Sequence, residues 1–241
     1  LLMHNLGLRT TLPDQVELFF NRFPRKLADA GFEGSVRLLI CGTADFVAPA
    51  LVFAGMTHLG FRPELTVLDR CQTPLKLCSQ AEGALNMSCE YVSADVFDYE
   101  SDQLFDVICS DRILGFFDTE GKQRLFGKWR SLLVDNGLIF TAVSIRPGGE
   151  ISKGEVQGRL ERLAQLTDLV ESRAHLPSDQ VASMVTNYLH NRQPIRSEQE
   201  ILNCLADSGL CDIQIGTLVK KEFHPKYYDA RSLVEVTARA G

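Results

Sequence analysis

"CDIQIGTLVKKEFHPKYYDARSLVEVTAR", residues 211 to 239, decides how this chain folds. Two β-like runs, 211–220 and 231–239, flank the segment "KEFHPKYYDA" with Pro225 at its centre. Parallel neighbours need a crossover of about a dozen residues, usually helical, and a central proline makes this segment a loop instead. The two runs are therefore expected to pair as an antiparallel hairpin that finishes the sheet.

The chain upstream has a different rhythm. Five short runs, "SVRLLICG", "ELTVLD", "CEYVSAD", "FDVICSD" and "GLIFTAVS", are nearly continuously apolar, as strands buried on both faces of a parallel sheet should be. Helical patterns separate most of them. Residues 46–58 read as a helix if Pro49 lies in its opening turn. Residues 73–83 carry Thr73 as cap, Pro74 at the first helical position and Gly83 as a stop. Residues 120–134 place Leu125, Trp129, Leu132 and Leu133 on one face before the turn "DNG". Repeated β-α units imply a parallel sheet with right-handed crossovers. "RPGG" at 146–149 breaks this rhythm, residues 150–190 carry only helical patterns, and Ser197 with Glu200 forms a capping box that opens a last helix.

Composition narrows the function. The 241 residues carry 25 basic and 31 acidic side chains, a net charge of -6, so the chain lacks the cationic surplus needed to neutralise a polyanion, and no nucleic acid partner is expected. The seven cysteines show no C-x-x-C pair or metal-ligand spacing; they read as reduced thiols, with no metal site. No run approaches the roughly 18 apolar residues of a membrane span, and no signal-peptide order is visible. The expectation is a cytoplasmic protein without a membrane partner.

Open parallel sheets bind ligands beyond the carboxyl ends of their strands. Four of those ends carry aspartate, Asp45, Asp69, Asp95 and Asp111, in "CGTAD", "VLDR", "SADVF" and "CSDRI". Such a cluster repels a pyrophosphate. It suits ribose hydroxyls, an amino group and a sulfonium, for which ionised carboxylates are strong acceptors. Asp69, after the glycine turn and at a strand end, is placed to accept both hydroxyls of a ribose.

The order of these stations and the closing hairpin resemble a class I S-adenosylmethionine-dependent methyltransferase, over residues 30–145 and 197–240. The resemblance implies an α/β, Rossmann-like, seven-stranded, mostly parallel sheet with a C-terminal antiparallel hairpin and a helical insertion. It divides the chain into an N-terminal helical cover (1–30), a cofactor-binding core (31–145), a helical lid (146–196) and a helix plus hairpin completing the core (197–241). It further implies S-adenosylmethionine as cofactor, leaving as S-adenosylhomocysteine. Gly42, Thr43, Ala44 and Asp45 stand at the glycine-rich turn, where the usual second glycine is replaced by Ala44. S-adenosylmethionine has no phosphates, so the turn need not present a full anion nest. Arg70 can lie across the adenine; Asp95 falls near its amino group, with Val96 and Phe97 along the ring; Ser110, Asp111 and Arg112 line the exit where the methyl group is approached, with "RILGFF" behind them as hydrophobic packing.

Methyl transfer at an activated carbon needs alignment and exclusion of water above all. The five histidines form no pattern, and no catalytic base is assigned. The expected acceptor is a small, partly apolar molecule. Two alternatives stay open: aminopropyl or another transfer on the same fold, and a non-catalytic scaffold, for which Ala44 is the motive. Also open is whether the amphipathic first helix, with Val16, Phe19, Phe20, Phe23 and Leu27 for packing, covers the cleft or meets a second subunit of a homodimer.

Overall fold

A computed structural model describes residues 12–147, 153–165, 177–221 and 231–241. Seven strands form one sheet in the order β3-β2-β1-β4-β5-β7-β6: β1 Ser35–Cys41, β2 Arg62–Asp69, β3 Cys89–Ser93, β4 Phe105–Asp111, β5 Leu133–Ile145, β6 Leu210–Lys221 and β7 Arg231–Ala240. The first five pair in parallel. β7 runs antiparallel to both β5 and β6, which is the closing pair expected from residues 211–239; the segment between its strands, 222–230, lies outside the described residues.

Helices cover both faces. A continuous helical run, α1, comprises Leu12–Gln15, a π-helical stretch Val16–Arg22, and Phe23–Asp29. Pro24 has no N–H to give the carbonyl of Phe20, and the run widens just before it, Phe23 bonding back to Leu18. α2 is Val47–His58, α3 Gln72–Leu85, α4 Thr119–Leu132, α5 Lys153–Gln165, α6 Ser178–His190 and α7 Glu198–Ala206. Leu18, Phe19, Phe23 and Leu27 of α1 join Val52 and Met56 of α2 over one sheet face, with the Phe23 and Phe140 rings edge to face at 4.9 Å. The other face buries Leu125, Phe126, Trp129 and Leu132 of α4 with Ile201, Cys204 and Leu205 of α7. No helix among the described residues is long and apolar enough to cross a membrane.

Three local expectations change. α3 begins at Gln72 with Cys71 as cap residue and runs through Gly83 to Leu85, ending at Asn86 in the left-handed region. Gly83 does not stop it because asparagine tolerates that conformation where the turn must reverse. The "DNG" turn lies inside β5: the β4 register jumps from Leu133 to Leu138, with Asn136 at φ 61°. The Ser197 hydroxyl accepts the Glu200 N–H, but the Glu200 carboxylate reaches Arg196 N–H and Lys122 instead of closing the box.

Candidate functional site

At the carboxyl ends of β1, β2, β4 and β5 a cavity of about 730 Å³ opens between the sheet edge and α6. β1 leads into it through Gly42, whose φ is +74° and whose N–H bonds to the Leu68 carbonyl at 2.8 Å. The positive φ favours glycine here, and a Cβ on Gly42 would stand 2.6 Å from Ile113 Cδ1, so a larger residue would also have to displace the end of that side chain. Thr43 and Ala44 follow along the wall. Asp45 lies outside it: its carboxylate accepts the Val47 N–H at 2.8 Å, and its carbonyl accepts the Thr43 hydroxyl. A carboxylate turned to a helix start satisfies an orphan donor there, so Asp45 does not reach the cavity as expected.

Asp69 ends β2 and lines the cavity. Its two oxygens accept backbone N–H groups from Thr43 at 2.9 Å and Cys71 at 2.7 Å, which fixes the carboxylate between the glycine turn and α3. Each oxygen retains accepting capacity. Arg70, largely exposed, approaches Asp95 at 3.9 Å. Asp95 also accepts the Phe97 N–H at 3.0 Å, and Asp95 and Val96 both face the cavity. Phe97 does not: its ring packs edge to face on Phe117 and carries the Arg124 guanidinium 4.6 Å above it.

The end of β4 holds a buried ion pair. Asp111 accepts from Arg112 at 2.6 and 2.7 Å and from Gln15 of α1 at 2.9 Å. Burial draws the Arg112 guanidinium down, and the adjoining Asp111 carboxylate outweighs this, so its affinity for the proton rises. Arg112 stands at φ 58°, a conformation disfavoured for a long side chain and held here by this pair and by its N–H to Ala142 at 2.9 Å. Ser110 is behind the wall, its hydroxyl 2.7 Å from that of Thr141 in the core. Cys41 lines the floor with its thiol pushed up to about 12 by burial, which keeps it protonated and a poor nucleophile.

Several wall residues were not singled out as site residues from the sequence. The stretch "RILGFF" reads as packing behind the strand exit, yet Ile113 through Phe117 line the cavity beside Arg112, as do Arg146, Val185, Tyr188, Arg192 and Ile195. Arg146 follows the fifth strand as Asp111 ends the fourth, so the strand-end rule could have found it; Arg192, past the end of α6, left no such signal. The cavity is consequently not uniformly negative. Asp69, Asp95 and Asp111 share it with Arg70, Arg112, Arg146 and Arg192.

No known protein family and no curated protein sequence matches the chain. Solved structures do. The N-methyltransferase NodS from Bradyrhizobium japonicum WM9, in complex with S-adenosylhomocysteine, is 12% identical with a TM-score of 0.56, covering 96% of this chain and 86% of that one. Magnesium protoporphyrin IX methyltransferase (ChlM) from Synechocystis PCC 6803, with bound S-adenosylhomocysteine, is 13% identical with a TM-score of 0.61, covering 97% and 87%. Geranyl diphosphate C-methyltransferase from Streptomyces coelicolor A3(2) is 13% identical with a TM-score of 0.58, covering 90% and 75%. The sheet order, the closing antiparallel strand and these neighbours together establish that the chain has the Rossmann-like fold of class I S-adenosylmethionine-dependent methyltransferases.

Proposed function

We propose that the protein transfers a methyl group from S-adenosylmethionine to a small-molecule acceptor held between the sheet edge and α6. The observation that carries this reading is Gly42 and Asp69 converging on one cavity, with the carboxylate already fixed by two backbone donors. The donor set fits the cofactor. Asp69 offers acceptors to ribose hydroxyls, Asp95 an acceptor to the adenine amino group, Val96 and Ala44 apolar surface, and the turn at Gly42 a close backbone approach. Ala44 adds one methyl group to that wall and leaves the cavity open.

The cofactor supplies a methyl carbon already bonded to a sulfonium. Bound there, it would give that methyl to an acceptor lone pair, the carbon–sulfur electrons staying on sulfur to leave S-adenosylhomocysteine and any acceptor proton passing to water. The chain's work is alignment and exclusion of water. Gln15 anchors α1 over Asp111 at the reacting end, and buried Val181 and Val185 present the apolar side of α6. Arg112 orients Asp111 through two hydrogen bonds.

Titration calorimetry with S-adenosylhomocysteine tests this. Wild type should bind, and Asp69→Ala should bind more weakly by about 1 to 3 kcal/mol through loss of charge-assisted hydrogen bonds. Equal affinity in the variant would reject the ribose placement. Neither heat nor a thermal shift at millimolar ligand would favour a non-catalytic scaffold.

A further inference from the structure

One face of α6 is turned into the cavity. Val181, Met184, Val185 and Tyr188, at the spacing that brings helical side chains to one side, all line it. Val181 and Val185 are buried, whereas Met184 is 53% exposed. Phe116, between β4 and α4, also lines the cavity and is 47% exposed, and its ring meets that of Tyr188 at 5.8 Å. The apolar wall therefore continues from its buried part to open solvent. We propose that the methyl acceptor is an uncharged molecule with a hydrocarbon body that lies along Val181 and Val185 and extends out over Phe116 and Met184. This rests on the methyltransferase reading and names the substrate class of the same cavity.

The exposure of these two side chains sets the length of the ligand. Leu59, Leu85 and Leu104 are the other exposed large hydrophobics among the described residues; none lines the cavity, and apolar side chains scattered singly over a surface need no partner. Phe116 and Met184 differ because they continue a wall that Val143, Val181, Val185 and Ile195 begin in the interior. A ligand confined to the buried part leaves both in water, and one that reaches past them removes their apolar surface from water. The charged groups beside this wall are already engaged. Asp111 accepts from Arg112 and Gln15. The Arg192 guanidinium lies 4.5 Å above the Phe116 ring and donates to the Arg112 carbonyl at 3.3 Å, and Gly115 makes room for it, since a Cβ there would stand 2.6 Å from Arg192 Nη2. Arg146 and Tyr188 have interactions of their own. An ionic acceptor would leave water without a counter-charge set aside for it, which is costly. A hydrocarbon body makes no such demand on the wall.

The test is calorimetric titration of the whole protein, saturated with S-adenosylhomocysteine, using 4-ethylphenol, 4-butylphenol and 4-hexylphenol as neutral probes and 4-butylbenzoate and 4-butylbenzylammonium as charged ones. The phenols should bind with affinity rising about twofold to fourfold per added methylene as far as the hexyl member, and the two ions about tenfold more weakly than 4-butylphenol or worse. Phe116→Gln and Met184→Gln, at exposed positions that accept a polar side chain, should flatten the rise from butyl to hexyl and leave S-adenosylhomocysteine affinity unchanged. Leu104→Gln, exposed outside the cavity wall, should alter neither. The proposal is overturned if no phenol binds, if affinity is flat from ethyl to hexyl, if either ion binds as tightly as 4-butylphenol, or if Leu104→Gln weakens the series as much as the cavity variants do, the mark of non-specific adsorption. A sedimenting mass that rises with protein concentration, and does not in Phe116→Gln, would give this surface to a second copy of the chain and overturn it as well. Absence of S-adenosylhomocysteine binding to wild type rejects the methyltransferase reading itself. Its binding without the chain-length dependence rejects only the apolar acceptor.

Discussion

Cys71 gives the cavity a chemical reporter. It is exposed, lines the wall, and donates its N–H to Asp69. Cys211 is also exposed, on β6 and outside the wall. Alkylation with iodoacetamide near about pH 8, where thiolates react and thiols do not, should label both in the free protein. Saturating S-adenosylhomocysteine should slow Cys71 and leave Cys211 unchanged, as read by peptide mass spectrometry. Equal rates at Cys71 with and without the ligand would move the binding site elsewhere. Cys41 should stay unlabelled in the folded protein, because burial pushes its thiol up to about 12. The same scale shows how an aspartate at a strand end divides into two kinds. Asp69 and Asp45 look alike in the sequence, but Asp45 precedes α2 closely enough to accept the Val47 N–H. Asp69 instead receives donors from both sides of the cavity floor. A capping geometry of that kind depends on which residue the helix begins with, and sequence places helix starts only to within a residue or two.

Among the elements, α1 and α2 meet backbone to backbone at Gly55. A Cβ on Gly55 would lie 2.6 Å from the Phe20 carbonyl oxygen and 2.8 Å from its Cα, and backbone cannot yield as a side chain can. Phe20 also stacks on His58 at 5.7 Å, one turn further along α2. Gly55→Ala should therefore destabilise the protein by about 1 to 3 kcal/mol, the cost of overpacking. Gly83 in α3 and Gly127 in α4 have nothing within 4 Å of a added Cβ. Alanine at either should stabilise by about 0.5 to 1 kcal/mol through helix propensity. Denaturant midpoints for the three variants check the contrast, and a neutral Gly55→Ala would mean that the helices can separate. The amphipathic character of α1 was legible from Phe19, Phe23 and Leu27. Its π-helical stretch was not, because it follows from how Pro24 removes one donor while the helix stays packed on α2.

For the whole molecule, the sheet was legible because its information is local: buried parallel strands read as apolar runs, and Pro225 forbids a helical crossover before the last strand. The acidic half of the cavity was legible for the same reason, since strand ends are visible in sequence. The cationic half was not. Arg192 reaches Phe116 and Gly115 only after residues far apart in sequence are brought together, and no spacing rule encodes that meeting. The cavity is thus assembled from the strand ends and from α6, with α1 tied to its Asp111 through Gln15. Lys122 of α4 ties this arrangement to α7 through Glu200 at 2.8 Å. Because its walls come from segments across the chain, a ligand filling it stabilises them as one unit. At a hundred times its dissociation constant, S-adenosylhomocysteine should raise the unfolding free energy by about 2.7 kcal/mol, by mass action. Thermal unfolding followed by far-ultraviolet circular dichroism and by Trp129 fluorescence should then shift upward as a single coincident transition. Two transitions, with only one responding to the ligand, would show that residues 146–196 fold apart from the sheet and would remove α6 from the binding unit.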